Sequence, residues 1–195
     1  MPNGSHDPVY INFRTPDYEE CYQNLYRSMY DLGLEGSLHS VAIEPRSWRM
    51  AQAFKPSFVL HSLKEFEPHP VVWLDADCMV RRQPSLFHEG ALDDYDFAAH
   101  LHRGHELLTG TLWVNNTPLA RQVCVHWERR SKNNVNEWEQ RHLQQEIREH
   151  QKLAAHRILF DLPAAYCKIF DIMKTVENPV IEHYQQSRIK RRREP

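Results

Sequence analysis

The stretch "VVWLDADCMV", residues 71–80, constrains this chain more than any other. It joins an apolar run without a polar break, Val71-Val72-Trp73-Leu74, to two carboxylates separated by one alanine, Asp75 and Asp77. A half-exposed strand alternates apolar and polar residues, whereas an unbroken apolar run predicts a strand covered on both faces, as the strands of parallel sheets are. Side chains alternate along a strand with period two, so extension past Leu74 would put Asp75 and Asp77 on one side, where their charges repel. The pattern calls for positive charge beside them.

The flanking sequence supplies the layers such a strand needs. "VYINF" at 9–13 is a strand candidate, and Asp17 with Glu20 three residues on reads as a capping box. Tyr18, Cys21, Tyr22, Leu25, Met29 and Leu32 then recur at helical spacing up to Gly33, a helix-ending residue. A second strand over 38–45 leads through a tryptophan-bearing connection to a helical pattern over 55–66, so the first half reads β-α-β-α-β. Strands are expected over 96–101 and 109–115, followed by a helix from Pro118 with Ala120, Val123, Cys124 and Trp127 on one face. A polar loop enters a further helix near Trp138, and 159–171 returns to apolar material. With 195 residues and neither repeat nor long linker, these elements predict one α/β core with a mostly parallel central sheet flanked by helices.

Composition narrows the function classes. A net charge of −2 gives no general reason to expect nucleic acid, although the chain's last stretch, "RIKRRREP", is locally basic. Cys21, Cys78, Cys124 and Cys167 are widely spaced without a CxxC pair, which argues against a zinc ribbon or a disulfide scaffold and for a reducing compartment. No stretch approaches the roughly 20 apolar residues of a membrane span, and "MPNGSHDP" lacks the parts of a signal peptide, so a cytoplasmic protein is expected. The glycosylation pattern at Asn115-Asn116-Thr117 then reads as accidental, and the spacing of His100, His102 and His105 reads as surface rather than zinc.

Two carboxylates at a strand end admit more than one chemistry. They can form a solvated turn. Ligands of open α/β sheets, however, bind outside the carboxyl ends of strands, where two hard oxygen donors make half a site for Mg²⁺ or Mn²⁺, and that ion can neutralise a diphosphate. A phosphatase resembling the haloacid dehalogenases would use Asp75 as nucleophile and Asp77 as acid. That family continues to a Thr or Val two residues after its second Asp and carries the motif near the N-terminus; here Met79 stands there, far into the chain.

"VVWLDADCMVRRQPSLF" resembles the metal-binding segment of nucleotide-sugar glycosyltransferases of the GT-A fold. Further stretches are similar to that fold in the same order. "VYINFRTPDYEECYQNLYRSMYDLGL" resembles its first strand and helix, and "SWRMAQAFKPSFVLHSL" its Lys-Pro segment. "LLTGTLWVNNTPLARQVCVHW" resembles its G-x-x-x-x-N strand and helix, "NEWEQRHLQQEI" its acidic-Gln helix, and "PVIEHYQQSRIKRR" its terminal segment with a metal-binding His. The chain departs in being short and in lacking the Gly and Lys-Pro-Trp that many retaining members show after that His. The resemblance implies a Rossmann-like catalytic domain over 1–178 and a basic segment over 179–195 that closes the donor site. It also implies Mn²⁺ or Mg²⁺, a UDP-sugar donor, and a glycan, lipid or protein hydroxyl as acceptor. A catalytically silent binding protein of the same fold is the alternative from another class.

The resemblance also assigns residues. Asp77 binds the metal directly, Asp75 binds the metal or the donor ribose, and His183 is a third ligand, with Lys190 and Arg191 reaching the diphosphate. Tyr18 stacks on uracil or packs in its helix face. Thr15, with Arg14, meets the base or phosphates or is an ordinary loop residue. Lys55 lies near the donor or is an exposed lysine. Gly110 allows close approach of the sugar or marks a bulge, and Asn115 holds sugar hydroxyls or turns the chain. Glu139 and Gln140 address the transferred sugar or the acceptor, with Glu139 the general base if configuration inverts, the pair a stabiliser of developing positive charge if it is retained; otherwise they are a solvated helix face.

Overall fold

The computed structural model describes residues 7–186. The apolar run forms the strand β3 (Val71–Leu74), with all four residues buried. Here β1 is Val9–Arg14, β2 Leu38–Ala42, β5 Phe97–His102, β6 Glu106–Val114 and β7 Leu159–Asp161. They form a six-stranded sheet in the order β2-β1-β3-β6-β5-β7. β1 pairs parallel with β2 and with β3, and β5 parallel with β7, while β6 alone runs against its neighbours β3 and β5. The sheet is therefore mostly parallel, and both edges of β3 are occupied.

Period-two alternation sorts the strand side chains into two cores. Ile11, Val71, Trp73, Phe97 and Leu112 pack with helices α2 (Trp48–Glu65), α3 (Pro118–Asn133) and α4 (Glu139–Gln151) on one face. Tyr10, Val72, Leu74 and Trp113 pack on the other face against α1 (Glu19–Tyr30) and a small second sheet. Each large apolar side chain buried this way stabilises the fold by about 1.5–3 kcal/mol before entropy is counted. The second sheet has the order β4-β9-β8, from Cys78–Val80, Ile181–His183 and Lys168–Ile169.

Local chemistry explains the element ends. The α1 terminus follows expectation: Gly33 takes φ +70, and Leu34 N–H reaches back to the Met29 carbonyl at 2.9 Å. Thr117 caps α3 by accepting from Ala120 N–H, with Pro118 at the first helical position. Its expected apolar face, Ala120, Val123, Cys124 and Trp127, is fully buried.

Two expectations need correction. Asp17 is not the N-cap of α1, because Pro16–Tyr18 is a 3-10 turn and α1 begins only at Glu19, with Tyr18 at the cap position. The helix expected over 55–66 begins earlier, at Trp48, where Ser47 accepts from Met50 N–H; Pro56 is accommodated inside it. Of the 179–195 segment, the described residues include β9, the central strand between β4 and β8. All four cysteines are free. No described helix is long and apolar enough to cross a membrane.

Candidate active site

β3 stops at Leu74, and Asp75 to Asp77 form a turn in which Cys78 N–H donates to the Asp75 carbonyl at 3.1 Å. The two carboxylates thus converge through a turn rather than through strand alternation. One oxygen from each and one nitrogen of His183 lie within 4.8 Å of one another. β9 delivers His183 by pairing with β4, where His183 stands opposite Cys78. The bonds from Tyr184 N–H to the Asp77 carbonyl (3.1 Å) and from Gln186 N–H to Asp77 Oδ2 (2.8 Å) tie the segment after β9 to the turn.

His183 is 1% exposed. Its Nε2 contacts Thr111 Oγ1 at 2.8 Å, whereas its buried Nδ1 has no partner. Burial pushes the imidazole pKa down to about 4, with the nearby Asp75 opposing and Lys55 adding to the shift, so the ring is neutral at ordinary pH. If the Nε2 proton goes to Thr111, Nδ1 keeps a lone pair facing the carboxylates. A Cβ on Gly110 would come within 2.9 Å of His183 Cε1 and 3.2 Å of Asp75 Oδ2, so glycine is what lets these side chains meet over β6. The β5–β6 pairing skips from Ala99–Leu112 to His100–Leu108, so Gly110 also lies in a bulge. A buried unpaired nitrogen, two carboxylates and this cradle suit a divalent cation with mixed O and N ligands.

The positive charge required by Asp75 is Lys55. Its ammonium is 3.5 Å from Asp75 Oδ1 and 3.3 Å from Glu139 Oε1, and donates to the Thr109 carbonyl at 2.7 Å. Lys55 is 4% exposed, which overturns the reading of an exposed lysine. It sits over the Trp73 ring at 4.8 Å, and Trp73 Nε1–H donates to Asp75 Oδ1 at 2.7 Å. Glu139 is likewise buried rather than on a solvated face. Thr109 Oγ1 donates to its Oε1 at 2.9 Å, while Oε2 is buried without a partner. Burial raises the Glu139 pKa, and Asp75 adds to the rise against Lys55 and Thr109.

These groups line a cleft of about 1250 Å³, together with Thr15, Tyr18, Gly110 and Gln140. Tyr18 ends the 3-10 turn after β1, half-buried at the cleft wall, and Gln140 Nε2 is 3.4 Å from Glu106 Oε1. Arg14 also borders the cleft, held by Glu19 and Ser40. Asn115 is not brought to this site. β6 runs antiparallel, which carries its end beside Val71 at the start of β3, and there Asn115 Nδ2 donates to the Tyr95 carbonyl at 2.9 Å and turns the chain. Lys190 and Arg191 lie outside the described residues. His100 contacts the Leu162 carbonyl and His105 that of Arg103, so the histidine series forms no common site.

Sequence reasoning missed Trp73, Thr109 and Thr111, which hold Asp75, Glu139 and His183. Period two contained the signal for Trp73, two residues before Asp75. For the threonines it was hidden by the bulge.

No protein-family model matches the chain, and neither does any curated protein sequence. Solved structures do. A glycosyltransferase involved in glycosylation of the major capsid of PBCV-1 aligns with 94% of this chain and 97% of its own, with TM-score 0.65 and 14% identity. Mouse xyloside xylosyltransferase 1 aligns over 93% and 99% of the two chains, with TM-score 0.58 and 8% identity. GlyE, a glycosyltransferase of Streptococcus pneumoniae TIGR4, has TM-score 0.56 and 16% identity over 91% of this chain, which spans about half (55%) of GlyE. At such identities the likeness shows the fold: this chain has the GT-A fold of nucleotide-sugar glycosyltransferases.

Proposed function

We propose that this protein transfers a sugar from a nucleotide diphosphate sugar, UDP-linked, to a hydroxyl acceptor, with Mn²⁺ or Mg²⁺ held by Asp75, Asp77 and His183. The observation that carries the reading is the unpaired buried Nδ1 of His183, grouped with two carboxylates at the floor of a cleft of the GT-A fold. When bound, the ion supplies positive charge to a diphosphate leaving group, whose negative charge grows as the glycosidic bond breaks.

The chain's own groups do the rest. Thr15 and Tyr18 border the cleft beside the end of β1 and receive the base. Lys55 holds Asp75 and Glu139 in place, and its ammonium balances two carboxylates that would otherwise repel. Glu139 borders the cleft with its Oε2 an acceptor without a partner, and its raised proton affinity suits removal of a proton from a substrate hydroxyl. Gln140 borders the same part of the cleft and offers an amide to the sugar or acceptor. The acceptor is a glycan, lipid or protein hydroxyl.

Incubation with a panel of UDP-sugars, with and without Mn²⁺, tests the reading. Mn²⁺-dependent release of UDP is expected. Release of inorganic phosphate from small phosphoesters without UDP release would identify a phosphatase, and Mn²⁺-dependent UDP binding without turnover a silent binding protein.

A further inference from the structure

A second group of ligand-type side chains lies away from the cleft, on the helix pair α3 and α4. His126 of α3 and Glu146 and His150 of α4 each offer an atom within 4.8 Å of the others. We propose that these three residues form a binding site for a divalent transition metal, zinc in class, that staples α3 to α4.

The helical geometry makes the site. Glu146 and His150 are four residues apart and so share one face of α4, and His126 faces them from α3. The His126 and His150 rings are 5.0 Å apart between centroids. Glu146 is 3% exposed, a carboxylate that stays buried only with partners. Arg130 Nε donates to its Oε1 at 2.6 Å, which fixes the carboxylate and turns Oε2 to the histidines. His126 Nδ1 and His150 Nδ1 stand 3.6 and 3.8 Å from that oxygen, beyond hydrogen-bond length. Tetrahedral zinc with bonds of about 2.0–2.2 Å separates its ligand atoms by about 3.4 Å, close to the His126–Glu146 spacing.

His150 Nδ1 also meets the Glu146 carbonyl at 2.9 Å, a contact the ring keeps if it presents Nε2 to the ion and releases if it presents Nδ1. The neighbouring arginine does not cancel the site's charge, because Arg130 is shared with Glu149 at 3.2 Å, leaving two carboxylates to one guanidinium. A cavity of about 320 Å³ bordered by His126 and Glu146 provides entry, and water completes the coordination. Imidazole and carboxylate together suit zinc, which ranks above manganese at such donors. The staple bears on the cleft, because α3 also holds the start of α4 through Trp127 Nε1–H donating to the Glu139 carbonyl at 2.8 Å.

The test is a zinc titration of the untagged, metal-stripped full chain against a chromophoric chelator. The expected result is two sites, with His126→Ala removing one, Asp77→Asn the other, and the double variant both. In the Asp77→Asn background, His126→Ala and His150→Gln should each weaken the remaining zinc affinity at least tenfold, with circular dichroism unchanged. Both histidines are partly exposed, and their replacement leaves the Glu146–Arg130 pair, which neither of them makes, in place. Zinc affinity in that background unchanged within twofold by both substitutions would overturn the proposal, as would the absence of zinc binding in Asp77→Asn. In either case the three side chains are a polar helix–helix contact only.

Discussion

Gly110 and His183 stand so close that a Cβ on the glycine would lie 2.9 Å from the imidazole Cε1 and 3.0 Å from Nδ1. The contact is to a buried ring rather than to a flexible chain end, so Gly110→Ala must displace His183 or the β6 backbone. The expected outcome is a folded protein destabilised by about 1–3 kcal/mol, the cost of overpacking, whose Mn²⁺-dependent affinity for UDP falls at least tenfold. Thermal unfolding and calorimetric titration measure the two effects. Full affinity in Gly110→Ala would show that His183 takes no part in holding the ion.

Asp77→Asn separates charge from shape. Asparagine still offers an oxygen to Gln186 N–H, so the turn persists, while removal of one negative charge relieves repulsion with Asp75. The apo protein should keep or slightly gain stability, and Mn²⁺-dependent UDP binding should be lost, because a hard cation requires the formal charge. Calorimetry with and without Mn²⁺ reads this directly; wild-type affinity in the variant would remove the metal assignment.

Tyr18 borders the cleft, half-buried. If it stacks on uracil, Tyr18→Ala should weaken UDP binding by about 1–3 kcal/mol and Tyr18→Phe should be mild, the scale of base–aromatic stacking. Loss of stability in Tyr18→Ala with normal UDP affinity of the folded fraction would instead make it a packing residue.

How much was legible in the sequence depends on the range of the forces involved. Val71 to Leu74 announced a doubly covered strand because burial on both faces leaves no polar positions, and Gly33 announced a helix end because its backbone is left-handed. The direction of β6 was not legible, since an apolar strand reads alike both ways, and that direction carries Asn115 away from the cleft. The second sheet escaped notice because its strands are two or three residues long, too short for periodicity. Lys55 looked exposed because a buried lysine depends on distant partners, here Asp75 and Glu139, that local pattern does not reveal.

That buried lysine makes a measurable prediction. Lys55→Met leaves Glu139 buried beside Asp75 without a counter-charge, and breaking a buried pair on one side costs about 3–5 kcal/mol. Adding Glu139→Gln removes the stranded charge while keeping an acceptor for Thr109 Oγ1, so the double variant should be less destabilised than the sum of the singles by about 0.5–3 kcal/mol. Urea unfolding of the four proteins gives the coupling; additivity would mean that Lys55 and Glu139 are neighbours without an energetic bond.

His183 sets a pH dependence whose sign can be worked out. Its folded pKa, about 4, lies below the unfolded value of 6.5, so between those limits the unfolded chain binds the extra proton. Stability from this group is therefore complete above about pH 6.5 and is lost as pH falls toward 4, with a slope of up to about 1.4 kcal/mol per pH unit. Other groups titrate in the same range, so the informative quantity is the difference between wild type and His183→Gln, whose amide can still donate to Thr111. Metal-free unfolding free energies from pH 4 to 7.5 should show the wild type rising more steeply than the variant below pH 6.5 and in parallel with it above. Parallel curves throughout would mean that His183 takes up its proton in the folded protein as readily as in the unfolded chain, and that its Nδ1 is not the buried neutral nitrogen on which the cation site depends.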